Sequence, residues 1–407
     1  MNILVINHYA GSPEHGMEFR PYYMAREWMK SGNKVLNIGG TYSHLRRKQP
    51  EREGREIVKG VYYSWVKVNR YNGNGVGRII SMFLFIGKLM CNYKKYLGGF
   101  KPDVVVASST YPLDIYPARK IAKRHNAKLV YEVHDLWPLS PMELGGYSAS
   151  HPFIKVMQTA EDYCYRHVNG VISILSKAEG HMRERGLAEG KFHCVPNGIV
   201  LEDWKSPTAI PDEHKRLLKR LHDEGKFVVG YAGAHGPANS LDSVIDAAAE
   251  IKDNNVELVL TGTGQDKKKL MKHTQEKGYK NVHFLPPINK MAIPTLLGEM
   301  DALYVGLQKQ SLFRYGISPN KMYDYMMAGK PIIQAIDAGN NIVEEAKCGI
   351  YAEPGNAKSI GNAILKIKEM SREEREALGK NGHEFVLKNH TYQVLAEKFL
   401  DALKNME

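Results

Sequence analysis

The sequence predicts an α/β protein built from two domains, each a doubly wound parallel sheet with helices on both faces. Short aliphatic runs alternate with helical segments along almost the whole chain, which is the pattern of βαβ units. Glycine-rich loops follow several of these runs. The length of 407 residues fits two domains, because single domains usually hold about 100–200 residues.

The first domain is predicted to span 1–200. Its opening run ends in polar Asn7 and His8, and a loop containing Gly16 leads into a helix. The same alternation then recurs until the turn at 196–198, a Pro-Asn-Gly sequence. The expected strands are 3–6, 34–38, 104–107, 128–132, 170–173 and 192–195, and the expected helices are 20–31, 112–126 and 152–167.

The second domain is predicted to span 201–384. A polar stretch from 202 to 224 comes first, and the alternation restarts at 227. The expected strands are 227–232, 257–261, 282–285, 302–305 and 331–334, with a helix over 241–254. Ligands of such sheets bind at the carboxyl ends of the strands, so a cleft between the two domains is the expected site.

Composition excludes several classes of protein. With 43% hydrophobic and 25% charged residues the chain is neither disordered nor fibrous. Its four cysteines are far apart and include no C-x-x-C pair, which favours free thiols over a disulfide framework or a metal cluster. The N-terminus lacks the basic region of a signal peptide, and the longest apolar run, 79–86, is short of the ~20 residues that span a bilayer. We therefore expect no export and no membrane span.

Two common phosphate-binding motifs are absent from the sequence. No G-x-G-x-x-G follows the first strand, and no G-x-x-x-x-G-K-[ST] occurs, which disfavours a dehydrogenase or a P-loop NTPase. Short glycine loops remain at 233–236 and 262–264. Their backbone N–H groups, with the positive end of a following helix, suit a phosphate group.

The stretch 314–331 is the most informative part of the chain. Ser318 is predicted to be the N-cap of a helix and Pro319 its first residue. Lys321 would add a positive charge in the first turn, and Asp324, three residues later, would lie on the same face. A carboxylate there suits a vicinal diol such as a ribose. The alternative is a solvated surface ion pair between Lys321 and Asp324.

This stretch resembles the nucleotide-sugar site of retaining glycosyltransferases of family 4, which have the GT-B architecture of two Rossmann-like domains. The motifs at 131–138 and 319–326 are similar to a bacterial branch that contains N-acetylfucosaminyl transferases of surface polysaccharide assembly. Similarity runs over nearly the whole chain, including 195–198 and 231–233. The resemblance implies that a C-terminal helical segment, 385–407, packs back on the first domain.

The resemblance also implies the residues of the site. His134 and Asp135 are expected to be catalytic, with His134 near the anomeric centre and Asp135 either orienting it or capping the next loop. The expected donor-binding residues are Gly16, Gly233, His235, Gly236, Gly262, Gly264, Pro286, Gly316, Ile317, Ser318, Asn320, Lys321 and Asp324.

The chain departs from the family pattern at two places. The first Glu of the usual Glu-x7-Glu pair falls on Gly316, and Asp324 matches the second. The Arg and Lys that many members place on the diphosphate correspond to Ala234 and Asn239, which are uncharged. Diphosphate contacts are therefore expected from backbone N–H groups, His235 and Lys321.

The implied activity is transfer of a hexose or an N-acetylated (deoxy)hexosamine, with retention, from a nucleoside-diphosphate sugar. UDP is the expected nucleotide, and a lipid-linked or nascent polysaccharide is the expected acceptor. Members of this fold are thought to use the leaving phosphate as base, so no metal and no other cofactor are expected. A sugar-nucleotide epimerase of the same architecture and a non-catalytic binding subunit are the alternatives.

The positive charge is concentrated in one segment. The formal net charge is +12, and between 46 and 101 thirteen Lys/Arg face three acids, so 13 − 3 = +10. This segment also holds the apolar run 79–86, so we expect it to bind an anionic membrane surface through Phe83 and Phe85. A solvated basic loop followed by a core helix is the alternative. No recognised nucleic-acid-binding module accompanies the charge. The expected location is the cytoplasm or the inner face of the cytoplasmic membrane.

Overall fold

The computed structural model describes residues 1–73 and 75–406. They form two compact units. The first comprises Met1–Asn197 together with the segment that starts at Tyr392, and the second comprises Gly198–Thr391. The returning segment begins at Tyr392 and not at 385, because residues up to Asn389 continue a helix, Arg372–Asn389, that packs within the second unit.

The first unit contains a mostly parallel sheet of eight strands among the described residues, in the order β3-β4-β2-β1-β5-β6-β7-β8. Only β3 runs antiparallel, as a hairpin with β4. The aliphatic runs of the central strands are buried on both faces, as a sheet covered by helices on both sides requires. The strands are β1 (Asn2–Ile6), β2 (Lys34–Gly40), β3 (Gly54–Val58), β4 (Val61–Val66), β5 (Val104–Ala107), β6 (Lys128–Val133), β7 (Gly170–Ser173) and β8 (Phe192–Cys194).

The helices of the first unit follow the predicted order. The segment predicted as one helix over 112–126 is a 3-10 turn, Pro112–Asp114, that continues as an α-helix. The helices are α1 (Arg20–Lys30), α2 (Val76–Leu97), α3 (Ile115–His125), α4 (Leu139–Gly145), α5 (Pro152–His167) and α6 (Glu179–Glu184). The C-terminal helix, Tyr392–Asn405, packs on α1, where Phe399 meets Trp28 at 4.8 Å between ring centres.

Helix α2 corrects two expectations. It is 22 residues long and is the one described helix with the length and composition to cross a membrane, although a third of its most apolar window is buried in the unit. The helix is therefore longer than the apolar run 79–86 that was recognised in the sequence. Phe83 is 48% exposed but Phe85 is fully buried against His8, because residues two apart on an α-helix point about 200° apart. Phe85 belongs to the core and not to an exposed face.

The second unit has an all-parallel sheet of six strands, which lies wholly within residues 75–406, in the order β11-β10-β9-β12-β13-β14. Alternate side chains of β9 enter two different apolar clusters, one on each face of the sheet. The strands are β9 (Phe227–Ala232), β10 (Val256–Thr261), β11 (Val282–Leu285), β12 (Ala302–Gly306), β13 (Ile332–Ala335) and β14 (Gly349–Tyr351).

The helices of the second unit are shorter than predicted in one place, since 241–254 forms two helices in succession. The helices are α7 (Glu202–Lys205), α8 (Asp212–Asp223), α9 (Leu241–Asp246), α10 (Ala248–Ile251), α11 (Lys267–Glu276), α12 (Ile293–Gly298), α13 (Asn320–Met327), α14 (Ile342–Glu345), α15 (Ala357–Glu369) and α16 (Arg372–Asn389), with 3-10 turns at Pro237–Asn239, Lys290–Ala292 and Ser311–Tyr315. The helix of the first unit that follows them, Tyr392–Asn405, is α17.

Candidate functional site

Two glycine loops of the second unit pack backbone against backbone at the carboxyl ends of β9 and β10. A Cβ on Gly262 would lie 1.8 Å from the carbonyl oxygen of Gly233, and one on Gly264 would lie 2.2 Å from that of His235. Larger residues cannot occupy positions 262 and 264 without separating the loops. The predicted donor loops are thus brought together within one unit.

His235 lies at the centre of this junction. Its side chain is fully buried, and neither ring nitrogen has a hydrogen-bond partner among the described residues. Burial, with Lys267 and Lys321 nearby, lowers the pKa of His235 to about 4. The imidazole is therefore neutral at physiological pH, with one donor and one acceptor nitrogen, and contributes no positive charge.

Lys321 reaches the same loops from the first turn of α13. Its ammonium donates to the hydroxyl of Tyr231 at 2.8 Å and to Oδ1 of Asn239 at 2.6 Å. Burial lowers the pKa of Lys321 to about 7. The alternative of a solvated ion pair with Asp324 is wrong, because Lys321 is bonded to these two neutral groups.

Asp324 lies one turn further along α13 and has different neighbours. It accepts a hydrogen bond from the side chain of Trp204 and lies close to Lys290 and Asp203, which form an ion pair. Burial raises the pKa of Asp324 to about 6. After His235 and Lys321, Asp324 is therefore a third ionisable group of the site, and it is separate from the ammonium of Lys321.

The loop before α13 differs from the prediction. Pro319 is the N-cap, and Ser318 is not, because the Ser318 hydroxyl bonds the hydroxyl of Tyr323 at 2.8 Å and makes no cap. The N–H of Ile317 donates to Oδ1 of Asn340 at 2.8 Å. Gly316 has a φ of +93°, a left-handed conformation that favours glycine. Asn340, which the sequence analysis did not select, thus fixes this loop.

A cavity of about 260 Å³ adjoins the glycine loops. The strand-end backbone at 232–234 and 261–263 forms one wall, and Pro287, Ile288 and Ile293 form the other. Pro286, predicted to bind the donor, precedes this wall, and its carbonyl accepts a hydrogen bond from Nε2 of His214 at 3.0 Å. A narrow, mostly apolar slot of this kind suits a planar ring.

The remaining predicted donor residues of the second unit lie at the edges of the site. Gly236 precedes the turn Pro237–Asn239 and lines a second cavity of about 360 Å³ that also contains Asp242 and His273. Asn320 is the first residue of α13. Neither residue enters the wall of the 260 Å³ cavity.

Gly16 belongs to the first unit. Its φ is +108°, and a Cβ there would lie 2.9 Å from the backbone nitrogen of Arg47. It pairs with Ser12 and Arg46 in isolated β-bridges. Glycine is therefore required at this position by the loop itself.

His134 follows β6 in the first unit and is held by a buried network. Its Nε2 lies 3.0 Å from the Ser108 hydroxyl and 3.4 Å from Oε2 of Glu132. Glu132 accepts a hydrogen bond from Nε of Arg20 at 2.8 Å. Burial alone would raise the pKa of Glu132, but Arg20 and His134 outweigh it and hold this pKa well below its usual range. A charged residue inside an apolar strand was the sequence signal for this network.

Asp135 does not orient His134. Its carboxylate accepts a hydrogen bond from the Ser140 hydroxyl at 2.5 Å and others from Leu136 and Trp137, so it organises the loop that follows. Burial raises the pKa of Asp135. Of the two roles predicted for this residue, the geometry matches the capping of the loop and not catalysis.

A second carboxyl group of the first unit is buried near His134. Oδ2 of Asp114 accepts a hydrogen bond from the backbone N–H of Ser109 at 2.8 Å, whereas Oδ1 has no partner in the described part of the chain. Burial raises the pKa of Asp114 to about 7. The sequence analysis did not select Asp114, because it lies within the segment 112–126 that was predicted as an ordinary helix.

Comparisons with known proteins agree with this geometry. The model of Glycosyltransferase Family 4 matches residues 15–203, and that of Glycosyl transferases group 1 matches residues 213–385. The two matches cover one unit each and together most of the chain. The chain belongs to the GT-B glycosyltransferases.

Individual relatives of this glycosyltransferase are distant. A putative colanic acid biosynthesis glycosyl transferase, WcaI from Escherichia coli (strain K12), is 23% identical over 56% of this chain and 56% of its own length. The match thus spans little more than half of that relative. Sucrose-phosphate synthase from Thermosynechococcus elongatus has a TM-score of 0.72 at 16% identity, over 99% of this chain and 98% of that chain. HepE from Anabaena, solved with UDP-glucose, has a TM-score of 0.65 at 16% identity, over 99% of each chain. The two solved structures establish the GT-B fold.

Proposed function

We propose that this glycosyltransferase moves a hexose, or an N-acetylated (deoxy)hexosamine, from a nucleoside diphosphate to a saccharide acceptor with retention of configuration. The observation that carries the proposal is the partly buried ammonium of Lys321, held by neutral oxygens beside the glycine loops. A cation without a counterion in the first turn of a helix suits a phosphate. HepE, of the same fold, is described with UDP-glucose, which supports UDP as the nucleotide.

The leaving diphosphate is the centre of the proposed chemistry. Breaking the glycosidic C–O bond passes through an oxocarbenium-like transition state while negative charge grows on the diphosphate. Fixed donors at that position lower the barrier most. Lys321 and the N-terminus of α13 supply the positive field, and the buried neutral ring of His235 supports the glycine loops beside them. The leaving phosphate then accepts the proton of the acceptor hydroxyl, so no protein nucleophile is required.

His134 is our candidate for the contact with the donor sugar. Ser108 and Glu132 hold its Nε2 side, which fixes the orientation of the ring. Asp135 shapes the loop beyond it. We propose that His134 and the backbone of the Gly16 loop are the first unit's contacts with the substrates.

We further propose that the reaction needs no metal ion. Within residues 1–73 and 75–406 no group of three or more His, Cys, Asp or Glu side chains is arranged to hold one, and Lys321 supplies the charge that Mg²⁺ would otherwise give. An unchanged rate of transfer in excess EDTA supports this, whereas loss of activity that Mg²⁺ restores contradicts it.

A lipid-linked saccharide at the cytoplasmic face of the membrane is the proposed acceptor. Helix α2 exposes Val76, Ile80, Phe83 and Leu84 along one side, in the segment 46–101 that carries the excess of positive charge. The similarity to WcaI, whose name refers to colanic acid, supports surface polysaccharide assembly. Within that class, an N-acetylfucosaminyl donor remains our proposal from the motifs at 131–138 and 319–326.

The decisive experiment starts with a thermal-shift screen of UDP, GDP, dTDP and their sugars. A UDP-sugar that stabilises the protein is then offered with a polyprenyl-diphosphate-linked saccharide, and NMR of the product reports the anomeric configuration. We expect a retained configuration and loss of transfer in His134→Ala. Nucleotide binding with no transfer would indicate a binding subunit, and conversion of the donor without acceptor would indicate an epimerase.

A further inference from the structure

The ammonium of Lys321 is part of a closed ring of hydrogen bonds. Both groups that accept from it, the Tyr231 hydroxyl and the Asn239 amide, also donate to one carbonyl oxygen, that of Ala234, at 2.7 and 3.0 Å. Each partner therefore donates a hydrogen bond to the backbone and presents an oxygen acceptor to the lysine. The loop after β9 thereby fixes both partners relative to its own backbone.

Neither partner neutralises the charge. Burial is the cause of the lowered pKa of Lys321, with no contribution from a carboxylate in the described part of the chain. The ammonium also lies 4.4 Å from the centre of the Tyr231 ring, where the ring face attracts a cation. The arrangement holds a cation in place without a counterion.

Space next to the ammonium is kept by Gly233. A Cβ at this position would lie 3.0 Å from the Tyr231 hydroxyl and 3.2 Å from Nζ of Lys321. An ammonium has three N–H donors, of which Tyr231 and Asn239 use two. One N–H is left for an acceptor that a ligand brings.

We propose that Tyr231 and Asn239 are positioning residues that aim the Lys321 ammonium at the diphosphate of the donor while leaving its charge uncompensated. This inference rests on the proposed function. Helix α13 supplies the positive charge, and the loop after β9 sets the position of that charge. A positive charge introduced at 239 would therefore reach the same point as the Lys321 ammonium.

The test compares UDP affinity of the full-length protein by calorimetry at pH 7.5. Lys321→Met should weaken binding by roughly 10–100-fold, the range for a hydrogen bond to a charged group. Asn239→Asp should weaken it by a similar factor, because a carboxylate would pair with Lys321. Tyr231→Phe keeps the ring and should cost a few-fold.

The most discriminating variant moves the positive charge from position 321 to position 239. Lys321→Met combined with Asn239→Lys should recover at least tenfold of the affinity lost in Lys321→Met and part of the lost kcat, a gain that a merely structural role cannot give. Asn362→Asp, at an exposed position of α15, is the matched control for added negative charge. Thermal unfolding identifies any variant that fails to fold.

The outcomes separate the two proposals. If the wild type binds UDP but Asn239→Asp and Tyr231→Phe bind equally well, or the transposed variant stays as weak as Lys321→Met, the positioning role is overturned. If the wild type binds no nucleoside diphosphate, the proposed function itself fails. Loss in Asn239→Asp together with recovery in the transposed variant supports the inference.

Discussion

Arg20, which is buried, and Lys321, which is partly buried, are cations in different units, and they are bonded in opposite ways. Arg20 pairs with the carboxylate of Glu132 and also donates to the carbonyls of Val195 and Pro196. Lys321 bonds two neutral oxygens. A paired charge is stable in the resting protein and fixes His134 through Glu132. An unpaired charge is costly in the resting protein and becomes favourable when an anion arrives.

The largest expected effect comes from breaking the paired charge. Glu132→Ala leaves Arg20 buried without its carboxylate, and removing one partner of such a pair costs about 3–5 kcal/mol. Chemical denaturation followed by circular dichroism should show this loss in the free energy of unfolding. Lys321→Met, the matched removal in the second unit, should leave the stability unchanged or raise it. A loss below about 1 kcal/mol in the free energy of unfolding of Glu132→Ala would contradict this difference between Arg20 and Lys321.

The unpaired charge should matter for activity instead. Lys321→Met should lower kcat/KM for the donor by roughly 100–1000-fold, as does loss of one fixed donor from a site of developing charge. Steady-state kinetics with the UDP-sugar found in the screen measures this. Lys219→Met removes an exposed lysine of α8 and should behave as wild type. Equal losses in both variants would refute a specific role for Lys321.

Lys321 and Glu132 should both make the stability rise with pH, but in different pH windows, because folding lowers both pKa values. The folded-state pKa of Lys321, about 7, is below the ordinary value of 10.5, so between pH 7 and 10.5 the unfolded chain binds a proton that the folded one lacks. Stability therefore rises with pH in that window. The pKa of Glu132 is lowered on folding, so its contribution is present above the ordinary pKa of about 4.3 and is lost as pH falls.

Donor affinity gives a further measurable pH dependence. A diphosphate binds the charged form of Lys321, whose fraction falls about fivefold between pH 7 and pH 8 for a pKa of about 7. Affinity for UDP, measured by calorimetry, should fall by about the same factor, because the second phosphate pKa near 6 leaves UDP fully ionised in this range. Lys321→Met should remove most of this dependence. A wild-type affinity for UDP that does not change between pH 7 and pH 8 would contradict this prediction.

The last expected effect concerns a surface of the first unit. Ile80→Asp with Phe83→Asp should weaken binding to anionic vesicles by roughly tenfold, because two exposed apolar side chains of α2 are lost from the bilayer contact. Vesicle co-sedimentation measures it, and Val156→Asp on α5, also an exposed apolar position, is the matched control. UDP affinity should not change. A parallel loss of UDP affinity would show that the surface acts through the fold and not through lipid.

The fold was largely predictable from the sequence. Most strands begin and end within a residue or two of the predicted bounds, because parallel strands buried on both faces appear as uninterrupted aliphatic runs. The hairpin of β3 and β4 was not predicted, because charged and aromatic residues interrupt the aliphatic residues of these two strands. Helix α2 was recognised only in its most apolar part, which placed Phe85 wrongly on the surface.

The site was predictable as a set of loops but not as a set of bonds. Lys321, His235 and the glycines came from motifs along the chain. Tyr231 and Asn239 also lie at positions named from the family resemblance, but their bonds to Lys321 span 82 or more positions, and a single sequence does not record them. Glu132 was visible within a motif, but its pairing with Arg20 required the fold. For Asp135 the sequence left two roles open, and only the fold showed that its partners are Ser140, Leu136 and Trp137 and not His134.

The return of α17 to the first unit has a consequence for biosynthesis. The second unit is inserted between two parts of the first, and its own ends meet where Ile199 donates to the carbonyl of His390 at 2.8 Å. During translation the second unit can thus be completed while Trp28 still lacks Phe399. The first unit gains its last helix only after more than 190 further residues have been made, so α1 lacks the packing of α17 until then.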